Sequence, residues 1–263
     1  FYVYNGLIPQ RNDLHDWSLY LPGDTSETLW TEYVPFDSLP QVLNPESGFI
    51  QNSNSTPFET TLGPGNPDQA NFPEWMGIDD PQTNRQLRSL ELFGNDGEIT
   101  AEEFIAYKFD NYYTAESDVG WIQEMIGYVD WEDQRLQAAA DHLTAWDLRT
   151  DPQNKHAAVG VVTLYMLNDM KGNFEGAKMG ASHLTDSELP LWLVYDAFEA
   201  AVEHLHTHFG QIDPEWGEVN RIRRGEIDIP VGGGPDILTA LYGAFEDRKS
   251  TRLNSSHDQI SYA

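Results

Sequence analysis

The chain has 263 residues, enough for one large domain or two small ones, and 40% of them are hydrophobic. Its 12 Phe, 12 Tyr and 8 Trp can furnish a core and set it apart from disordered chains. The 43 acidic and 15 basic residues give a net charge of −28, a field that argues against a nucleic-acid partner and against docking on anionic lipid. No run approaches the ~20 apolar residues of a membrane span. The absence of cysteine excludes disulfides and thiol catalysis.

Residues 1–80 are rich in Pro, Gly, Asn and Asp. They predict short strands at Phe1–Tyr4, Leu7–Pro9, Glu32–Val34 and Gly48–Gln51, with loops at Asp24–Thr31 and Leu62–Pro73. From about Pro81 the period becomes helical. Arg85, Leu87, Leu90, Leu92 and Phe93 begin a helix that Gly94-Asn95-Asp96-Gly97 ends, and Thr100 caps a second, with Glu103 completing a capping box. Further helices are expected over Asp133–Trp146 and His156–Asn168. The clearest amphipathic pattern is Leu191–Phe209, where Leu191, Val194, Tyr195, Phe198, Val202, Leu205 and Phe209 form one stripe behind a polar start at Asp186-Ser187-Glu188. Ile227–Val231 reads as a strand ending at Gly232-Gly233-Gly234, with a helix start at Pro235-Asp236. Strands come first and helices after, so the expected class is α+β. The segments are a strand-rich part (1–80), a mainly helical part (81–246) and a tail (247–263). The tail resembles the in-frame translation of a sequencing adapter and is expected to be non-native.

Three patterns invite functional readings that their residues do not sustain. Asn95-Asp96-Gly97-Glu98-Ile99-Thr100-Ala101-Glu102-Glu103 resembles the second half of an EF-hand loop. Positions one and three would be Leu92 and Gly94, which offer no side-chain oxygen, and a helix stop with a capping box accounts for the rest. His204 and His208 share a helical face, yet no third metal ligand accompanies them. Gly232-Gly233-Gly234 matches neither a phosphate-binding nor a dinucleotide-binding loop. No serine or cysteine triad can be assembled, and no G-x-S-x-G is present.

Asn44-Pro45-Glu46-Ser47-Gly48-Phe49-Ile50-Gln51-Asn52-Ser53-Asn54-Ser55-Thr56-Pro57 is the most informative stretch. Its short amides can form Asx-turns with their own backbone. An Asn amide can also donate to a developing oxyanion without itself being charged.

The same stretch resembles the N-P-x-x-G-x-I-x-N-x-N-x-x-P element of the penicillin-acylase family. These are N-terminal-nucleophile amidohydrolases that include acyl-homoserine-lactone and aculeacin-type acylases. Further resemblance lies in Asn84–Phe104, Trp146-Asp147-Leu148, Glu215-Trp216-Gly217 and Gly225–Gly233, in the family's order. It implies part of a four-layer αββα sandwich with a helical excursion. It also implies a large chain paired with a small chain after self-cleavage, a periplasmic or secreted location and a small acyl-amide substrate. The family's oxyanion Asn maps onto Asn54, with Asn52 as a neighbouring substrate contact, and its active-site Arg maps onto Arg85, with Arg88 as second choice. The nucleophilic serine would lie upstream, because Phe1 offers no hydroxyl, so this chain alone is expected to lack activity. No cofactor is expected, although calcium is possible in the parent enzyme, with Asp68 a poorly matching ligand. The alternative is a non-catalytic, acidic, secreted ligand-binding module.

Overall fold

A computed structural model describes residues 1–239 except 5, 13, 18 and 174–189. The expected polar start at residues 186–188 and the tail at 247–263 lie outside the described residues. The described residues fold as α+β, with much more helix than strand.

The helices are α1 (Asn84–Gly94), α2 (Ala101–Lys108), α3 (Asp118–Gly127), α4 (Gln134–Thr144), α5 (Ala157–Asn173), α6 (Leu191–Phe209) and the short α7 (Trp216–Val219). Helix α5 is apolar on every side, with Ala157, Ala158, Val159, Val161, Val162 and Leu167 fully buried. It therefore sits at the centre of the core, with α6 as its most extensive partner and α3 and α4 around it. Burying each of its Val and Leu side chains contributes about 1.5–3 kcal/mol. Gly160 makes this packing possible, because a Cβ there would lie 2.5 Å from the Trp146 ring. Helix α6 buries Val194, Phe198, Val202 and Leu205 as its stripe predicts. Its C-cap, Gly210, adopts the left-handed conformation.

The two sheets are small. Strands β1 (Tyr2–Val3) and β2 (Gln41–Val42) pair antiparallel, as do β3 (Arg221–Arg224) and β4 (Ile227–Pro230). Leu7–Pro9 and Glu32–Val34 do pair, through Gln10 N–H to Glu32 O and Val34 N–H to Ile8 O, but only a single bridge, Pro9 to Tyr33, forms. Proline has no N–H with which to extend the ladder. Gly48–Gln51 forms no strand. Gln51 N–H reaches Thr60 O, while the Thr61 hydroxyl donates to the Phe49 carbonyl at 2.8 Å and accepts from the Ser47 hydroxyl. A second, smaller apolar cluster of Ile8, Leu39 and Met76 anchors residues 1–80.

Pro235-Asp236 is a turn, which corrects the expected helix start. Asp236 has φ 58°, a left-handed value that a right-handed helix does not accommodate.

Candidate active site around Asn54 and Arg85

Helix α1 begins with Thr83 as N-cap, whose hydroxyl accepts from Gln86 N–H at 3.1 Å. Its buried face is polar: Asn84, Gln86 and Ser89 point inward, while the leucines of its sequence pattern are only partly covered. That face is buried because it is hydrogen-bonded. Gln86 Nε2 and Gln82 Nε2 each donate to Glu59 Oε2 at 2.9 Å, and Gln51 Nε2 donates to Glu59 O at 3.0 Å. Thr56 N–H donates to Pro81 O at 2.7 Å. The Asn-rich loop is thus tied to the start of α1 on both sides of Asn54.

Between those anchors Asn54 is exposed, with φ 57°. Asn52 Oδ1 accepts Asn54 N–H at 3.1 Å, an Asx-turn that supports this left-handed backbone. The Asn54 side chain turns to Arg85, whose Nη1 donates to Asn54 Oδ1 at 3.1 Å. A guanidinium has donors only, so the amide oxygen must face it and Nδ2 must face away. Among the described residues nothing accepts from that Nδ2.

Arg85 is itself fixed by Asp236, whose Oδ1 accepts from Nε at 2.9 Å. The other carboxylate oxygen of Asp236 accepts the Asn84 N–H at 2.5 Å, and its backbone carbonyl accepts from Asn84 Nδ2 at 2.9 Å. Asn84 also donates to Tyr112 O and accepts from Thr114 N–H, so one buried side chain ties the start of α1 to two distant segments. Although 38% of the Asp236 side chain reaches solvent, burial pushes its carboxyl above the usual aspartate range. The bonds from Arg85 and Asn84 N–H oppose that push, and Asp118 adds to it. Behind Asp236 lies a pocket of about 110 Å³ bounded by Gln82, Asn84, Tyr113, Asp118, Leu164 and Asn168.

The structure therefore joins Asn54, Arg85 and Asn52, and adds Asp236 and Asn84. No local spacing could have found these two additions, because the Arg85–Asp236 contact spans 151 residues. The readable hint was an Asp after Gly-Gly-Gly-Pro, a residue type that tolerates the left-handed region. Arg88 belongs elsewhere. It grips Asp110 with Nε and Nη2 at 2.8 and 2.9 Å, reaches Glu91 with Nη1, and lies over the Tyr112 ring. Burial works against its charge, but these hydrogen bonds outweigh that effect and hold its pKa above the ordinary arginine value.

Asp68 caps a short 3₁₀ turn by accepting Ala70 N–H. Among the described residues no three His, Asp or Glu side chains converge as a metal cage. In the EF-hand-like stretch, the oxygens of Asp96 take Tyr107 OH at 2.6 Å and Glu98 N–H at 3.0 Å, and Glu103 closes the capping box on Thr100. The rings of His204 and His208 lie against one another, tilted by 41° with centroids 4.2 Å apart.

Comparison with known proteins agrees with the resemblance. The penicillin amidase family model matches residues 1–260, a span that runs beyond the described residues into the tail. Penicillin G acylase of Escherichia coli is 43% identical over 56 residues, 21% of this chain and 6% of that protein. The chain thus matches a small part of that relative's length. No helix among the described residues is long and apolar enough to cross a membrane. With a family match over nearly its whole length, the chain belongs to the penicillin amidase family.

Proposed function

We propose that this chain is the middle-to-late part of the large chain of an amidohydrolase, in which Asn54 Nδ2 donates to the oxyanion formed during acyl-amide cleavage. The observation that carries the reading is the amide's orientation. Arg85 occupies Oδ1, leaving the donor end of an exposed side chain with no acceptor among the described residues. A preorganised neutral donor of this kind contributes about 2.7–4 kcal/mol to a tetrahedral transition state.

In this reading the nucleophile is a serine at the N-terminus of a self-cleaved large chain, outside the present sequence. Its hydroxyl attacks the amide carbon as its own amine takes the proton, the C–N bond breaks as that proton passes to the departing amine, and water then cleaves the acyl ester to release the acid and restore the serine. The described strands and helices are then part of an αββα sandwich with a helical excursion, completed by the rest of the protein and its small chain. The substrate class is an N-acyl-homoserine lactone or the acyl side chain of a β-lactam or lipopeptide. The excess of acidic residues suits a periplasmic or secreted enzyme. Any calcium in the parent enzyme would take its ligands mostly from outside the described residues.

The test is to express the intact gene product and measure acid release from N-acyl-homoserine lactones and penicillins. Hydrolysis that depends on a processed N-terminal serine supports the reading. Binding of these compounds without turnover, in a protein that is never cleaved, would establish the non-catalytic binding module instead.

A further inference from the structure

We infer that Asp236 is the positioning residue that aims Arg85, and through it Asn54, at the reacting carbonyl. This rests on the function proposed above.

The argument begins with the guanidinium. It is planar, so once Nε–H is committed to one acceptor the directions of both Nη groups are set. Asp236 Oδ1 takes that Nε–H at 2.9 Å, and in this orientation Nη1 meets Asn54 Oδ1 at 3.1 Å. The second carboxylate oxygen is occupied by Asn84 N–H, one of the unsatisfied donors at the start of α1. One carboxylate thereby fixes both the backbone that carries Arg85 and the plane of its head group.

A positioning residue must itself be held, and Asp236 is held by the main core. Pro235 O accepts from Tyr113 OH at 2.6 Å. Gly233 N–H donates to Thr150 O, and Gly233 O accepts from the buried Trp216 Nε1 at 2.7 Å. Asn220 Nδ2 lies within 3.1 Å of the carbonyls of Val231, Gly232 and Gly233. A Cβ at Gly234 would stand 2.6 Å from Tyr113 Oη, so the turn can press against the core only as glycine. Asp236 keeps its left-handed φ of 58° within this frame.

The test is a kinetic double-mutant cycle in the intact, processed protein, with Asp236→Asn, Asn54→Ala and the pair. Asp236→Asn should lower kcat about 10- to 100-fold, the range for a misplaced catalytic group, with KM changed less than about twofold. Asn54→Ala should lower kcat about 10²- to 10³-fold. In the Asn54→Ala background, Asp236→Asn should cost less than about twofold more, because the two act as one unit. Asp236→Glu should recover part of the loss; it also serves the cycle if Asp236→Asn does not fold. Equal losses in both backgrounds would make Asp236 a structural residue only, and wild-type kcat in folded Asp236→Asn would remove it altogether. Wild-type kcat in Asn54→Ala would instead overturn the underlying assignment of Asn54.

Discussion

Arg85 Nη1 lies 3.1 Å from Asn54 Oδ1, and this contact decides which end of an exposed amide faces outward. Without it, the amide could present oxygen as readily as nitrogen, and oxygen would repel an oxyanion. Arg85→Lys should therefore lower kcat by about 10- to 100-fold in the intact protein. A lysine head is a single point donor and does not reproduce the fork that serves Asp236 and Asn54 together. Steady-state kinetics of the folded variant reads the effect.

Asn84 should matter more for stability than for turnover. Asn84→Ala removes the bonds to Tyr112 O and Asp236 O and leaves Thr114 N–H without its acceptor. Buried groups left unpaired cost about 1–3 kcal/mol each, so a loss of about 3 kcal/mol is expected in denaturant unfolding.

At Gly160 two effects oppose each other. Alanine gains about 1 kcal/mol of helix propensity over glycine. Its Cβ, however, would press into the Trp146 ring at 2.5 Å, and overpacking of this kind costs about 1–3 kcal/mol. The expected outcome of Gly160→Ala is a net lowering of the midpoint for thermal unfolding. The Trp146 emission should shift with it.

The α1–α2 turn carries a pH-dependent bond. Tyr107 donates to Asp96, which pushes the phenol up to about 12, while Asp96 is held below the usual aspartate range by Tyr107 first and Glu98 N–H second. The phenol's contribution to stability is complete below the ordinary tyrosine value of 10.0 and is lost as pH rises toward 12. The carboxylate's contribution is present above the ordinary aspartate value and is lost as pH falls through the lowered one. Tyr2 and Tyr128 are also raised, so tyrosinate absorbance should show several late phenols, and only the one near 12 should return toward the ordinary value in Asp96→Asn.

Much of this was legible where local rules decide. The capping box at Thr100 and Glu103, the stop after Gly94 and the helix from Leu191 to Phe209 appear where the sequence puts them, although Leu191 of its stripe is exposed. Helix α3 went unread because Gly120 and Gly127 dilute its pattern, although Ser117 caps it clearly. Strand β3, Arg221-Ile222-Arg223-Arg224, hid behind its charges; Arg221 and Arg223 face Asp228 across the hairpin. Helix α1 lies where its pattern puts it, yet it buries amides rather than its leucines, because Glu59 and Asp236 supply partners from distant segments. In the site, Asn54, Asn52 and Arg85 were found through resemblance and are joined by geometry, whereas Asp236 emerged only once the chain was folded.

The most direct test of the central claim is kcat for Asn54→Ala in the intact, self-processed protein acting on an N-acyl amide. A fall of about 10²- to 10³-fold with KM nearly unchanged is the predicted result, since the donor acts on the oxyanion and not on the ground-state substrate. A turnover rate equal to wild type would contradict the account, and Asn54 would then be a loop residue whose amide serves only Arg85.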